Sequence, residues 1–124
     1  MQIKRLSKSF VEATKGVIYV FVHEQNFRLQ IYASVLVLFF VWLFELSRAE
    51  LIVIFLLILL VLILELLNSA VERLSDVVKP RLSDQIMLVK HIMAGMVFLA
   101  SIGAMIIGLI IFWPHFIELY NKLW

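Results

Sequence analysis

Apolar and polar positions divide this chain into four stretches. Ile3, Leu6, Phe10, Ala13, Val17 and Phe21 recur at spacings of three and four, while Lys4, Lys8, Glu12 and Lys15 take the other side. This pattern predicts an amphipathic helix over residues 3–22, lying along a membrane surface. His23-Glu24-Gln25-Asn26 interrupts it. Residues 29–46 then form an apolar run long enough for a first span, with Arg28 at its entrance and Trp42 near its exit. Ser47 to Glu50 reads as a short polar turn that, with Glu45 and Arg48, lies in solvent. A second span is expected over 51–78, stopped by Pro80, and a polar connection from Lys79 to Gln85 leads to a third over 86–113. Ala100, Ala104 and Gly108 place a small-residue ridge on that third span, which predicts a closely packed helix. Trp113, Tyr120 and Trp124 suit an aromatic belt.

The second span changes character along its length. Leu51 to Leu64 carries no polar group, but Glu65, Asn68, Glu72 and Asp76 follow within the run LELLNSAVERLSD. At about 100° per residue these four positions share a stripe roughly 80° wide that rises about 16 Å. A carboxylate in hydrocarbon costs roughly 2.5–3.5 kcal/mol on insertion scales. The stripe therefore points away from lipid. If the three spans are neighbours, Glu24 and Lys90 meet it at one membrane level. Glu24 and Glu72 are hard oxygen donors suited to Mg²⁺, whose shell is completed by water and phosphate oxygens. Glu65 lies about 10 Å deeper than Glu72, where a carboxylate could take the proton of a lipid hydroxyl.

Composition narrows the class. The chain has 124 residues, of which 64% are hydrophobic and 16% charged, which leaves a single all-α membrane domain over residues 1–124. A net charge of +2 gives no reason to expect nucleic acid. Cysteine is absent, so thiolate chemistry is excluded and the redox compartment is not indicated. The basic residues near the N-terminus are not followed by a compact apolar core and cleavage site, so a cleavable signal is not expected. Nine of the eleven Lys and Arg residues fall within 1–28 and 73–90, and Arg48 and Lys122 are the other two. This asymmetry predicts a cytoplasmic N-terminus and acidic stripe, with the C-terminus outside.

The block Glu65-Leu66-Leu67-Asn68-Ser69-Ala70-Val71-Glu72 with Asp76, the segment Glu24-x-x-Phe27-Arg28, Lys15-Gly16 and Lys90 together resemble the prokaryotic diacylglycerol kinases, a family that includes undecaprenol kinases. The resemblance covers nearly the whole chain. It implies a homotrimer in the bacterial inner membrane, with active sites at subunit boundaries, that moves the γ-phosphate of MgATP to diacylglycerol or undecaprenol. Glu65 would then be the general base, with Asn68 beside it at the lipid substrate. Glu24 and Glu72 would hold Mg²⁺, and Arg5, Asp76, Lys90 and His91 would join them around the nucleotide. His91 stands where the family usually has aspartate, and Ala13 where some relatives have serine. The stretch Glu24-Gln25-Asn26-Phe27-Arg28 leans toward the undecaprenol branch.

Two other classes use the same residues differently. A proton or ion relay would also place acids within a span, but it needs a polar trail across the bilayer, and Leu51 to Leu64 supplies none. A weakly active or non-catalytic protein of the same fold would bind nucleotide without turnover, and His91 is the residue that suggests it. Left to spacing alone, Asp76 reads equally as a solvated charge, and Lys90 as a snorkelling lysine. His23 and His115 have no acidic or histidine partner at ligand spacing and read as interfacial residues.

Overall fold

The computed structural model describes residues 2–78 and 83–124, whose regular structure is entirely α-helical. Pro80, the residue expected to stop the second span, and most of the polar connection around it lie outside the described residues. Helix α1 covers Gln2–His23, α2 Gln25–Leu43, α3 Arg48–Val78 and α4 Ser83–Leu123. The apolar segments of α2, α3 and α4 are long enough to cross a membrane.

The helix ends depart from the boundaries expected of the spans. Helix α2 begins at Gln25 and stops at Leu43, because the chain turns back at Phe44 and Glu45. Helix α4 continues through Pro114 to Leu123. A proline removes one backbone donor from a helix, and packing against neighbouring helices makes that loss tolerable in membrane proteins. At 1.5 Å per residue, the 31 residues of α3 extend about 46 Å, so this helix exceeds a hydrocarbon layer of about 30 Å. Its acidic turns are the excess.

Two corners set how the helices meet. At the first, Glu24 is extended (φ −115°, ψ 111°) and separates α1 from α2. Arg28 reaches back seven and six residues, its Nη1 donating to the carbonyls of Phe21 at 2.8 Å and Val22 at 2.7 Å. These are carbonyls of the last turn of α1, which would otherwise lack intrahelical donors. Phe27, 2% exposed, fills the inside of the corner. At the second corner Glu45 adopts a left-handed conformation (φ 53°). Ser47 and Glu50 then bond reciprocally: the Ser47 amide donates to Glu50 Oε1 at 3.1 Å, and the Glu50 amide to Ser47 Oγ at 3.2 Å. This is a capping box at the start of α3. Glu50 is therefore a helix-start residue, where the sequence pattern suggested a solvated turn.

Side-chain burial within one chain is sparse. Ile54 of α3 and Ile86, Met93 and Phe112 of α4 are buried, whereas Leu99, Leu109 and Ile110 are largely exposed. Such apolar surface is unsuited to water and belongs against lipid or other protein. Between α2, α3 and α4 runs an apolar groove of about 460 Å³, bordered by Gln30, Phe40, Ile54, Val61, Ala104 and Gly108. The end of the groove away from Gln30 carries an aromatic cluster in which Phe44 packs edge-on to Phe116 (4.9 Å) and Phe40 lies 6.0 Å from Phe116. The small-residue ridge of α4 borders this groove. A Cβ placed on Gly108 would meet nothing within 4 Å, so the close helix neighbour expected there is not found within the described chain.

Removal of the Arg28 guanidinium strips its bonds from the end of α1. Arg28→Ala should accelerate amide hydrogen exchange across residues 20–27 at least about tenfold, since a charge-assisted hydrogen bond is worth about 1.5–3 kcal/mol. Exchange in α4 should stay as in the parent.

Candidate functional site

Polar side chains gather where the first corner meets the final turns of α3. Glu65 is 4% exposed and Ser69, one turn on, is 2% exposed. Both therefore sit on the face of α3 turned toward the rest of the chain; of the expected acidic stripe, Glu65 is buried as predicted, Asn68 and Glu72 are half-buried, and Asp76, at the helix end, is open to solvent. Gln30 of α2 donates from Nε2 to Glu65 Oε2 at 3.4 Å. Its other amide atom, Oε1, is buried without a hydrogen-bond partner among the described residues, and Gln30 itself lines one end of the apolar groove. The deepest carboxylate is thus tied to the groove by a single amide.

One to two turns nearer the helix end, Glu24 is drawn onto α3. Its Oε1 accepts from Ser69 Oγ at 3.3 Å and from Arg73 Nη2 at 3.1 Å. Further along, Lys90 Nζ of α4 meets Asp76 Oδ1 at 3.4 Å. All three elements expected to supply the site do converge on one end of α3. Asn68 and Glu72 are half-buried on this helix, but among the described residues Glu72 makes no ion pair. His91 follows Lys90 on α4 and is exposed. Arg5 is also exposed, fourteen residues before Tyr19 on α1, hence about 21 Å away along the axis. Within one chain it is remote from the corner.

Glu24 and Glu72 retain the donor chemistry that a hard cation needs. Among the described residues, however, no cluster of three or more His, Asp or Glu side chains stands ready for a metal. A Mg²⁺ ion needs only one or two protein carboxylates when phosphates and water fill the remaining positions, a number that Glu24 and Glu72 could supply.

Three participants in the site, Gln30, Ser69 and Arg73, carry little signal in the sequence. Gln30 is an amide within a largely apolar stretch of α2, which is the available signal. Ser69 lay inside the ELLNSAVE block, and Arg73 was counted only as a topological charge. Outside this site, His115, which has no partner at ligand spacing in the sequence, places its Nε2 3.3 Å from Oε2 of Glu50, 65 positions earlier. No local spacing rule could have paired them.

Three membrane-length helices, with Glu65, Glu24 and Glu72 gathered toward one end and an apolar groove beginning at Gln30 beside the deepest of them, define a helical membrane protein with a polar site at one end of its spans. The profile of the family described as prokaryotic diacylglycerol kinase matches residues 11–112. An undecaprenol kinase from Bacillus subtilis (strain 168) is 37% identical over 113 residues, covering 91% of this chain and 92% of that one. A diacylglycerol kinase from Synechocystis sp. (strain ATCC 27184 / PCC 6803 / Kazusa) is 36% identical over 112 residues, covering 90% of this chain and 64% of that protein. The chain belongs to the prokaryotic diacylglycerol kinase family and is a membrane enzyme of the lipid kinase class.

The Asp76–Lys90 pair is open to solvent, its side chains 64% and 32% exposed. Exposed pairs of this kind contribute about 0–1 kcal/mol. Asp76→Asn should therefore leave unfolding in detergent within about 1 kcal/mol of the parent, as checked by thermal denaturation, so that any large loss of activity reports on chemistry and not on folding.

Proposed function

We propose that this enzyme transfers the γ-phosphate of MgATP to a membrane lipid alcohol, with undecaprenol the favoured acceptor. The observation that carries the reading is the buried Glu65 carboxylate, held by Gln30 at the head of an apolar groove and one turn of α3 below the Glu24 corner. A lipid alcohol has the matching form, with an apolar chain for the groove and one hydroxyl for the acid.

Phosphoryl transfer asks little covalent chemistry of the protein, because positioning and charge stabilisation supply most of the rate. Glu65 would accept the proton of the attacking hydroxyl, with Asn68 helping to hold that hydroxyl. Glu24 and Glu72 would hold Mg²⁺, which when bound neutralises charge on the phosphate oxygens. Lys90 would turn from Asp76 toward phosphate, and His91 and Asp76 would border the nucleotide. Arg5 joins the site only if α1 of another subunit brings it there, which is one reason to favour a homotrimer with active sites between subunits. The exposed faces of α3 and α4 and the open space beside Gly108 are a second.

The distribution of Lys and Arg supports a cytoplasmic N-terminus and site, an outward C-terminus, and residence in a bacterial inner membrane. The acceptor preference rests on the Glu24–Arg28 segment and on the fuller overlap with the undecaprenol kinase relative. The amphipathic pattern of α1 fits a helix lying on the membrane surface.

Protein reconstituted in lipid with MgATP should phosphorylate undecaprenol faster than diacylglycerol in parallel assays; no lipid phosphate from either alcohol would overturn the proposal. Glu65→Gln should lower kcat at least about 100-fold, the lower end of general-base contributions, with nucleotide binding retained. Lost binding would instead assign Glu65 to the nucleotide. Glu72→Gln should be partly restored by raising Mg²⁺, and an unchanged Mg²⁺ dependence would remove Glu72 from the metal.

A further inference from the structure

Arg73 is tied to two other side chains at the first corner, Tyr19 and Glu24. Its Cζ lies 4.6 Å from the centre of the Tyr19 ring on α1, and Tyr19 is itself stacked on His23 at 4.0 Å. Its Nη2 reaches Glu24 Oε1, the same oxygen that accepts from Ser69. Glu24 Oε2 takes no hydrogen bond among the described residues.

A guanidinium that served only to neutralise this carboxylate would engage it with two parallel bonds. Here it makes one bond, at one edge, while its plane is occupied by tyrosine. The ion pair is also weak as a stabilising contact: Arg73 and Glu24 side chains are 44% and 25% exposed, the range in which pairs contribute about 0–1 kcal/mol. What the arrangement does achieve is orientation. Two donors on one oxygen fix the rotation of a carboxylate whose backbone sits at the single extended residue between two helices.

We propose that Arg73 is a positioning residue for the kinase reaction: braced on Tyr19, it and Ser69 hold Glu24 by Oε1 and leave Oε2 as the oxygen that meets the cation of the metal nucleotide. Outer partners of ligating carboxylates commonly act in this way, and their removal weakens metal binding about 10- to 100-fold. Arginine suits the task because its planar head can stack and donate at once, which the lysine ammonium cannot reproduce. The brace also links the placement of α1 to the placement of a ligand. This inference rests on the assignment of Glu24 to the metal.

The test uses the full chain in lipid nanodiscs with a non-hydrolysable ATP analogue and Mn²⁺ as the probe, titrated by electron paramagnetic resonance. Arg73→Ala and Arg73→Lys should each weaken Mn²⁺ binding about tenfold or more. In assays they should raise the KM for MgATP, with kcat recovering at high Mg²⁺. Tyr19→Leu should reproduce Arg73→Lys, the pair together should cost less than the sum of the two, and Tyr19→Phe should behave as the parent. Circular dichroism and size exclusion on each variant separate these effects from misfolding, and Arg73→Lys carries the test if Arg73→Ala does not fold.

Mn²⁺ affinity unchanged or tighter in folded Arg73 variants, with affinity still lost in Glu24→Gln, would overturn the role of Arg73 alone. If Glu24→Gln binds Mn²⁺ as the parent does, the metal assignment of Glu24 falls, and the role of Arg73 falls with it.

Discussion

Hydrocarbon has no water with which to satisfy a polar group, and the placement of almost every ionisable side chain here follows from that. The long apolar stretch of α3 from Leu51 to Leu64 carries none. Groups that could do chemistry are moved to the ends of helices, and those that must lie deeper are given partners. Glu65 has the Gln30 amide, and Glu24 has Ser69 and Arg73. At the other end Glu50 has His115 and the Ser47 amide. The two ends are nevertheless not equivalent. One gathers acids, bases and an open groove, while the other closes with phenylalanines around a single acid–histidine contact.

The site at the first end is built by a corner and not by one helix. Helix α3 alone could present Glu65, Asn68 and Glu72 in a line, since their spacing is a property of the α-helix. Glu24 joins them because the chain is extended for one residue and Arg28 seals the preceding helix end. Lys90 joins because α4 packs back along α3. Each of these contributions comes from a different element, so displacement of any one helix changes the separation of the charged groups.

Much of this was legible in the residues. Helical periodicity located α1, and runs of apolar residues located the spans, because both signals are local. The inward stripe of α3 could be derived for the same reason, and Glu65 is indeed buried. Helix ends were less legible: α4 passes through Pro114 because the penalty for a missing backbone donor is met by context that the residue itself does not carry. Long-range partners were least legible. Arg73 to Glu24 spans 49 residues and His115 to Glu50 spans 65, and nothing in either local pattern encodes the other. The small-residue ridge was visible, but its neighbour was not, because a ridge states that a close approach is possible without naming the surface that makes it.

The unequal lengths of the helices bear on the bilayer itself. Helix α2 has 19 residues, about 28 Å of rise, which barely matches a hydrocarbon layer of about 30 Å. It has no surplus to lose by tilting, since tilt shortens the distance a helix covers along the membrane normal. Helices α3 and α4, with 31 and 41 residues, have surplus in abundance. Hydrophobic mismatch therefore falls on α2 alone, and a thicker membrane must thin around it or draw its polar ends inward. Since Glu24 stands at one end of that helix, membrane thickness acts directly on the depth of the Glu24 corner.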